Sequence, residues 1–228
     1  MKVQILILLI LISWSCASSH KHDIITVPAG STVLEHFPFK ERYRYPEFVP
    51  GRVVFISGVF TETMLNYNIL TGEMQFIKSE DTLSINNPKS ILYIIAQDTF
   101  FYNNGYLEVI SDEGNIMVAA KKYVNLKEMQ KKDPYGTSSA GSARESYNVI
   151  PDDVNFYRLR SNTDLVFEKV EDYYITDSGG EFVPFRKTNT TKLFPQKEEE
   201  IRNYIRANRI DFSSQADVLK MAAYLRTL

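Results

Sequence analysis

Apolar and polar residues alternate along much of this chain at the two-residue period of a β-strand. Residues 52–60 form a β-branched and aromatic run. The stretch 64–70 alternates until Leu70-Thr71-Gly72-Glu73 makes a tight turn into Met74-Gln75-Phe76-Ile77. Further strands are predicted at 82–85, 91–96, 99–102, 106–110 and 116–121. They are separated by Asn86-Asn87-Pro88, Asn103-Asn104-Gly105 and Asp112-Glu113-Gly114-Asn115. Asn and Gly tolerate positive φ, so such clusters between apolar runs are hairpin signals. Short strands at a spacing of about 8–12 residues, without intervening helical patterns, predict a mainly β fold. An antiparallel meander, a sandwich and a small barrel all fit.

The flanks read differently. Residues 23–50 are aromatic and punctuated by Pro, as in His36-Phe37-Pro38-Phe39 and Tyr43-Arg44-Tyr45-Pro46. Pro disfavours central strands, so a lead-in strand or two lying across the domain surface is expected. Residues 127–150 run from lysines into Thr137-Ser138-Ser139-Ala140-Gly141-Ser142, the composition of a linker or loop. Strand signals return at 155–160 and 165–170, and 172–185 reads as a hairpin turning at Asp177-Ser178-Gly179-Gly180. The C-terminus predicts a short α-helical pair. Pro195 and Glu198 to Glu200 suit a first turn, and Ile201, Tyr204 and Ile205 make a stripe. Ser214 is placed as the next N-cap with Asp217 three residues on. Val218, Met221, Ala222 and Leu225 are the buried face of that second helix. The plan is therefore a β-rich domain over 23–126, a linker or loop over 127–150, a hairpin region over 151–192 that packs on or extends the sheet, and a helical pair over 193–228.

The first 16 residues stand apart. Met1-Lys2 is followed by an apolar run to Trp14, unbroken and aliphatic from Ile5 to Ile12. One positive charge, a short apolar core and small residues after it make a secretory signal. The run is shorter than the ~20 apolar residues a membrane span requires. Cys16 is the only cysteine, so no internal disulfide exists. Ser13-Trp14-Ser15-Cys16 resembles the bacterial lipobox, which implies a lipid on Cys16. Ser15 is the small residue required there, whereas Ser13 and Trp14 depart from the pattern. Cleavage after Ala17, by the small-x-small rule, is the alternative; it would discard the cysteine and leave a secreted protein.

Composition narrows this little. Hydrophobic residues at 44% and charged residues at 24% place the chain among ordinary globular proteins. Fourteen Tyr and fourteen Phe suit half-buried pleated surfaces. A net charge of −2 makes no case for nucleic acid. Lys121, Lys122, Lys127, Lys131 and Lys132 cluster while 152–181 is acid-rich. Two solvated faces, attraction within the molecule, or docking of a charged partner would each explain that asymmetry.

Catalytic motifs are weak. Gly136-Thr137-Ser138-Ser139-Ala140 approaches a nucleophile elbow, but His20, His22 and His36 all precede it, against the chain order of that class. His20-Lys21-His22-Asp23 lacks the further ligands a metal site needs, so no metal is expected. Asp152-Asp153, Glu171-Asp172 and Glu80-Asp81 are adjacent carboxylates, and neighbours on a strand point to opposite faces. No cofactor motif is present. A transmembrane β-barrel is disfavoured by the charged helical C-terminus.

Leu65-Asn66-Tyr67-Asn68-Ile69-Leu70-Thr71-Gly72-Glu73-Met74-Gln75-Phe76-Ile77 with Asp81-Thr82-Leu83, together with Tyr135-Gly136-Thr137-Ser138-Ser139, resembles uncharacterised exported proteins of Bacteroidetes-type bacteria. So does Ile201-x-x-Tyr204-Ile205-x-x-Asn208-x-Ile210-Asp211-Phe212. The resemblance implies a cell-envelope protein and no transferable site. Surface-exposed lipoproteins of such bacteria often carry acids after the lipidated cysteine. Ala17-Ser18-Ser19-His20-Lys21 carries none, which implies a periplasm-facing anchor. The expectation is a non-enzymatic binding or structural module with an envelope protein or glycan partner. The alternative is a hydrolase whose carboxylates gather only in the fold.

Overall fold

Turn chemistry decides where this chain reverses. The computed structural model describes residues 23–113, 115–130, 160, 162–176 and 180–228. Its strands are β1 (Ile24–Val27), β2 (Val49–Phe55), β3 (Phe60–Asn68), β4 (Glu73–Lys78), β5 (Asp81–Ser84) and β6 (Ile91–Ile95). They continue as β7 (Thr99–Tyr102), β8 (Tyr106–Glu113), β9 (Ile116–Gln130), β10 (Asp164–Thr176) and β11 (Phe182–Pro184). The two-residue link between β4 and β5, and the Asn104-Gly105 link between β7 and β8, both use positive φ.

All strands join one antiparallel sheet in the order β1-β10-β9-β8-β7-β6-β2-β3-β4-β5. Strands β1 and β11 divide a single edge of β10, the first at Leu165 to Glu168 and the second at Tyr174 to Thr176. The path does not close on itself, so of the meander, sandwich and small barrel that the sequence allows, the barrel is excluded; the fold is mainly β, with one open antiparallel sheet.

Cross-strand partners share a face, which locates the core. Ala120, Glu108, Phe100, Ile94 and Val53 form one row across five strands. The buried residues of β9 follow that parity except Ala119. Ile116, Val118 and Ala120 meet the C-terminal helices, while Val124 and Leu126 meet β1 and the N-terminal turn of helix. Between them Val53, Leu65, Tyr67, Met74, Ile94 and Phe100 pack together. The sheet bends enough that the Tyr67 hydroxyl on β3 donates to the Lys122 carbonyl on β9 at 2.7 Å.

The helices are α1 (Val33–His36), α2 (Phe39–Arg42), α3 (Lys187–Leu193), α4 (Glu198–Asn208) and α5 (Gln215–Leu225). Helix α4 buries Ile201 and Ile205. Helix α5 buries Val218, Met221, Ala222 and Leu225, the stripe expected from its spacing, against Ile116, Val118 and Ile175. Ser214 takes the N-cap position but its side chain bonds nothing in the helix; Asp217 instead accepts from the Asp211 N–H at 3.0 Å.

Five local expectations change. The lead-in holds β1 and then two single-turn helices, the first started by a reciprocal capping box between Thr32 and Glu35 and the second following Pro38. The run at 52–60 is two strands joined by a turn in which Gly58 adopts φ +83°. Strand β10 passes without a break through residue 171, so 165–170 and the first arm of the 172–185 hairpin are one element. Helix α3 was not expected. Strand β9 extends to Gln130, four residues into the stretch read as linker, and pairs with β10 along almost all its length.

Candidate binding surface

On the side of the sheet away from the core, three neighbouring strands present a half-apolar face. Register aligns Phe60, Val54 and Tyr93 in one row, Glu62, Arg52 and Ile95 in the next, and Met64 with Pro50 in a third. Alternation along β3 puts Leu65 in the core and leaves Phe60 and Met64 outside. Phe60, Met64 and Ile95 are each at least 40% exposed. The row of rings continues through Tyr93 and Phe101 (6.3 Å) to Phe182 (5.4 Å). There the Asn103 amide donates to the Phe182 carbonyl at 3.0 Å, so the chain entering β11 covers that end of the face.

The uncovered part has a groove of about 580 Å³ lined by Pro50, Gly51, Arg52, Glu62, Met64 and Ile95 among others. Its only charges neutralise each other: Arg52 donates to Glu62 at 2.6 and 3.1 Å and lies 4.5 Å over the Phe60 ring. Gly51 lets β2 and β6 approach closely enough to shape it. A Cβ there would lie 2.7 Å from the Ile95 carbonyl oxygen and from a Leu65 methyl.

The densest gathering of charge lies on the opposite, core side. Glu108 on β8 is 4% exposed. It accepts from Arg44 Nε and Nη2, both at 2.8 Å, and from Lys122 Nζ at 3.0 Å. Arg44 also reaches Asp98 at 3.2 Å, and Asp98 accepts from the Tyr45 hydroxyl at 3.0 Å. Burial resists ionisation of Glu108 most, but the Arg44 bond and the Lys122 charge together outweigh it and lower its pKa. Burial raises the Tyr45 and Tyr67 hydroxyls. A carboxylate matched to two cations holds charge in place and is a poor proton donor. Its mechanical effect is to fasten residues 44–45 onto the sheet.

Among the described residues, the histidine and carboxylates nominated from sequence are not brought together into one site. Cys16, His20, His22, the 136–140 motif, Lys131, Lys132, Asp152 and Asp153 lie outside the described residues. His36 ends α1 with Nδ1 3.4 Å from the Thr32 carbonyl. Glu171 and Asp172 point to opposite faces: Asp172 accepts from Tyr123 at 3.0 Å, and Glu171 lies 3.9 Å from Lys122. The charge asymmetry resolves in part as attraction within the molecule, since Lys127 pairs with Glu168 and Lys122 with Glu171 across β9 and β10. Among the described residues no three His, Cys, Asp or Glu side chains gather in a metal-holding group, and no helix is long and apolar enough to cross a membrane. The exposed face was missed because Phe60 and Met64 look like core residues of a strand. The usable signal was Phe60-x-Glu62-x-Met64, a charge in phase with two apolar side chains.

Comparison with protein families, with curated proteins and with solved structures finds no match to this chain.

Proposed function

We propose that this chain is an exported cell-envelope lipoprotein, anchored by a lipid on Cys16 and periplasm-facing, that works as a non-enzymatic binding module. The observation that carries the binding role is the open face of β3, β2 and β6. Of the ten large apolar side chains that stand exposed among the described residues, six lie on this hairpin and the adjoining strand: Ile56, Val59, Phe60, Met64, Leu92 and Ile95. Single exposed apolar residues are ordinary; their concentration on one hairpin and the strand beside it marks a contact surface. The anchor reading is supported by the apolar run that ends at the chain's only cysteine.

A photo-crosslinking residue in place of Met64, in cells making the full chain, tests the surface. Irradiation is expected to add mass to the protein there and not at Lys220, an exposed position on α5. Equal labelling at both positions, or none at either, would remove the case for a binding face. Cys16→Ala is expected to release the protein from the membrane fraction; unchanged fractionation and mass would remove the anchor.

A further inference from the structure

Exposed apolar residues gather at one end of the β2–β3 hairpin. The β2–β3 turn reads Ile56-Ser57-Gly58-Val59-Phe60 and carries no charge. Ile56 and Val59 are more than 60% exposed. Leu92, left without a strand partner where the β2–β6 register shifts, is also exposed. The Ile56 N–H donates to the Ser90 carbonyl at 2.9 Å and so ties the two loops together.

Four backbone N–H groups of this tip, those of Phe55, Ile56, Gly58 and Val59, already face acceptors. Phe55 N–H donates to Val59 O and Gly58 N–H to Phe55 O, each at 2.9 Å, while Val59 N–H is 3.5 Å from Ser57 Oγ. Those donors can leave water without being stranded, which lowers the cost of seating the turn at the interface, where the remaining carbonyls still reach headgroups and water. The first charged pair down the hairpin, Arg52 with Glu62, begins two residues beyond Phe60, about 7 Å along a strand. Amphipathic elements that lie in a membrane interface bury their apolar side by about 5–10 Å, so the charges stop where headgroups begin.

The length of chain ahead of the fold supplies the occupant. Six residues separate Cys16 from Asp23, the first described residue, and the seven steps from one to the other span at most about 25 Å when extended. A domain of this size has a radius of gyration near 17 Å, about two-thirds of that reach. Anchored at Cys16, it stays against the bilayer at a high local concentration, where a weak apolar contact is populated. We propose that the β2–β3 tip, with Leu92, seats in the surface of a lipid bilayer as a second membrane contact. The proposal rests on the anchoring read at Cys16 in the preceding section.

A Phe60→Trp reporter tests it. Trp14 is the chain's only Trp and precedes Cys16, so the processed lipoprotein carries the reporter alone. The lipidated protein is reconstituted on phosphatidylcholine vesicles whose acyl chains are brominated. A Leu83→Trp variant, exposed on β5, serves as the control. Quenching of the F60W reporter is expected to exceed that of L83W several-fold. Adding Val59→Asp to F60W should abolish the excess while the far-ultraviolet circular dichroism stays unchanged. Vesicle flotation reads the anchor separately. Protein that floats with F60W quenched no more than L83W overturns the tip contact alone; protein that fails to float overturns the anchor and the tip contact together. A polypeptide adduct at Met64 with an unquenched reporter assigns the face to a protein partner and overturns the lipid contact.

Discussion

Replacing Glu108 by Gln removes one charge and almost no volume, so it isolates what the buried carboxylate contributes. Arg44 and Lys122 are left facing a neutral amide that offers N–H groups to N–H donors. Removing one partner from a buried ion pair costs about 3–5 kcal/mol. Arg44 and Lys122 are 31% and 24% exposed and recover some hydration, so the loss should sit near about 3 kcal/mol. At about 2–4 °C per kcal/mol for a chain of this length, Tm should fall by about 6–12 °C. In urea, followed by far-ultraviolet circular dichroism, the midpoint should drop with the slope unchanged. The pH dependence gives a sharper signature. The folded pKa of Glu108 lies below its unfolded value of about 4.3. The stabilisation is therefore present above that value and is lost as pH falls through the folded pKa. Wild type loses it in acid; the Gln variant has none to lose, so the gap between them must narrow below about pH 4. A neutral-pH loss under about 1 kcal/mol, or a gap that stays constant into acid, refutes the pairing argument.

Two further changes test the geometry around the face. Ser79 and Glu80 occupy the β4–β5 turn at φ +50° and +74°, a region that costs a non-Gly residue about 1–2 kcal/mol. Ser79→Asn with Glu80→Gly should therefore stabilise by about 1 kcal/mol after the greater unfolded-state freedom of Gly is subtracted. A lowered urea midpoint would show the turn is not strained. Gly51→Ala sets a methyl group against the Ile95 carbonyl and should destabilise by about 1–3 kcal/mol. An unchanged Tm would mean that β2 and β6 can part without cost.

The most legible parts of the sequence were those where one pattern had one structural solution. The stripe Val218, Met221, Ala222 and Leu225 can be buried only by a helix, and it is. Gly72 and the Asn104-Gly105 pair mark reversals because positive φ suits few other residues, and all three adopt it. Ser79-Glu80 also adopts it without any such signature, so that turn was invisible. The turn at 56–59 was hidden for a related reason: Ile56 and Val59 look like strand interior, and their apolarity serves the surface instead. Helix α3 escaped because Thr-rich segments favour strands. Its Thr190 and Thr191 hydroxyls instead donate back to the Arg186 and Thr188 carbonyls, which lets both side chains be buried. Period-two alternation could say that Phe60 and Met64 share a face with Glu62. It could not say that a neighbouring segment covers the Phe101 end and leaves the Phe60 end open. Glu108 was one acid among many until the bend of the sheet brought Arg44 to it.

The shared edge of β10 also orders events in time. Ile24 pairs with Glu168, and the Ala29 N–H donates to Asp164 across a separation of 135 residues. β9, which is made earlier, draws its long flank from β10 as well. A nascent chain halted short of residue 164 therefore holds most of its strands, yet leaves Val27, Val124 and Leu126 without Leu165 and Phe167. Closing such long loops is slow, and contacts this distant cannot reward the chain until both ends exist. Securing β1 and the flank of β9 thus waits for β10, and the first strand laid down is among the last to be secured.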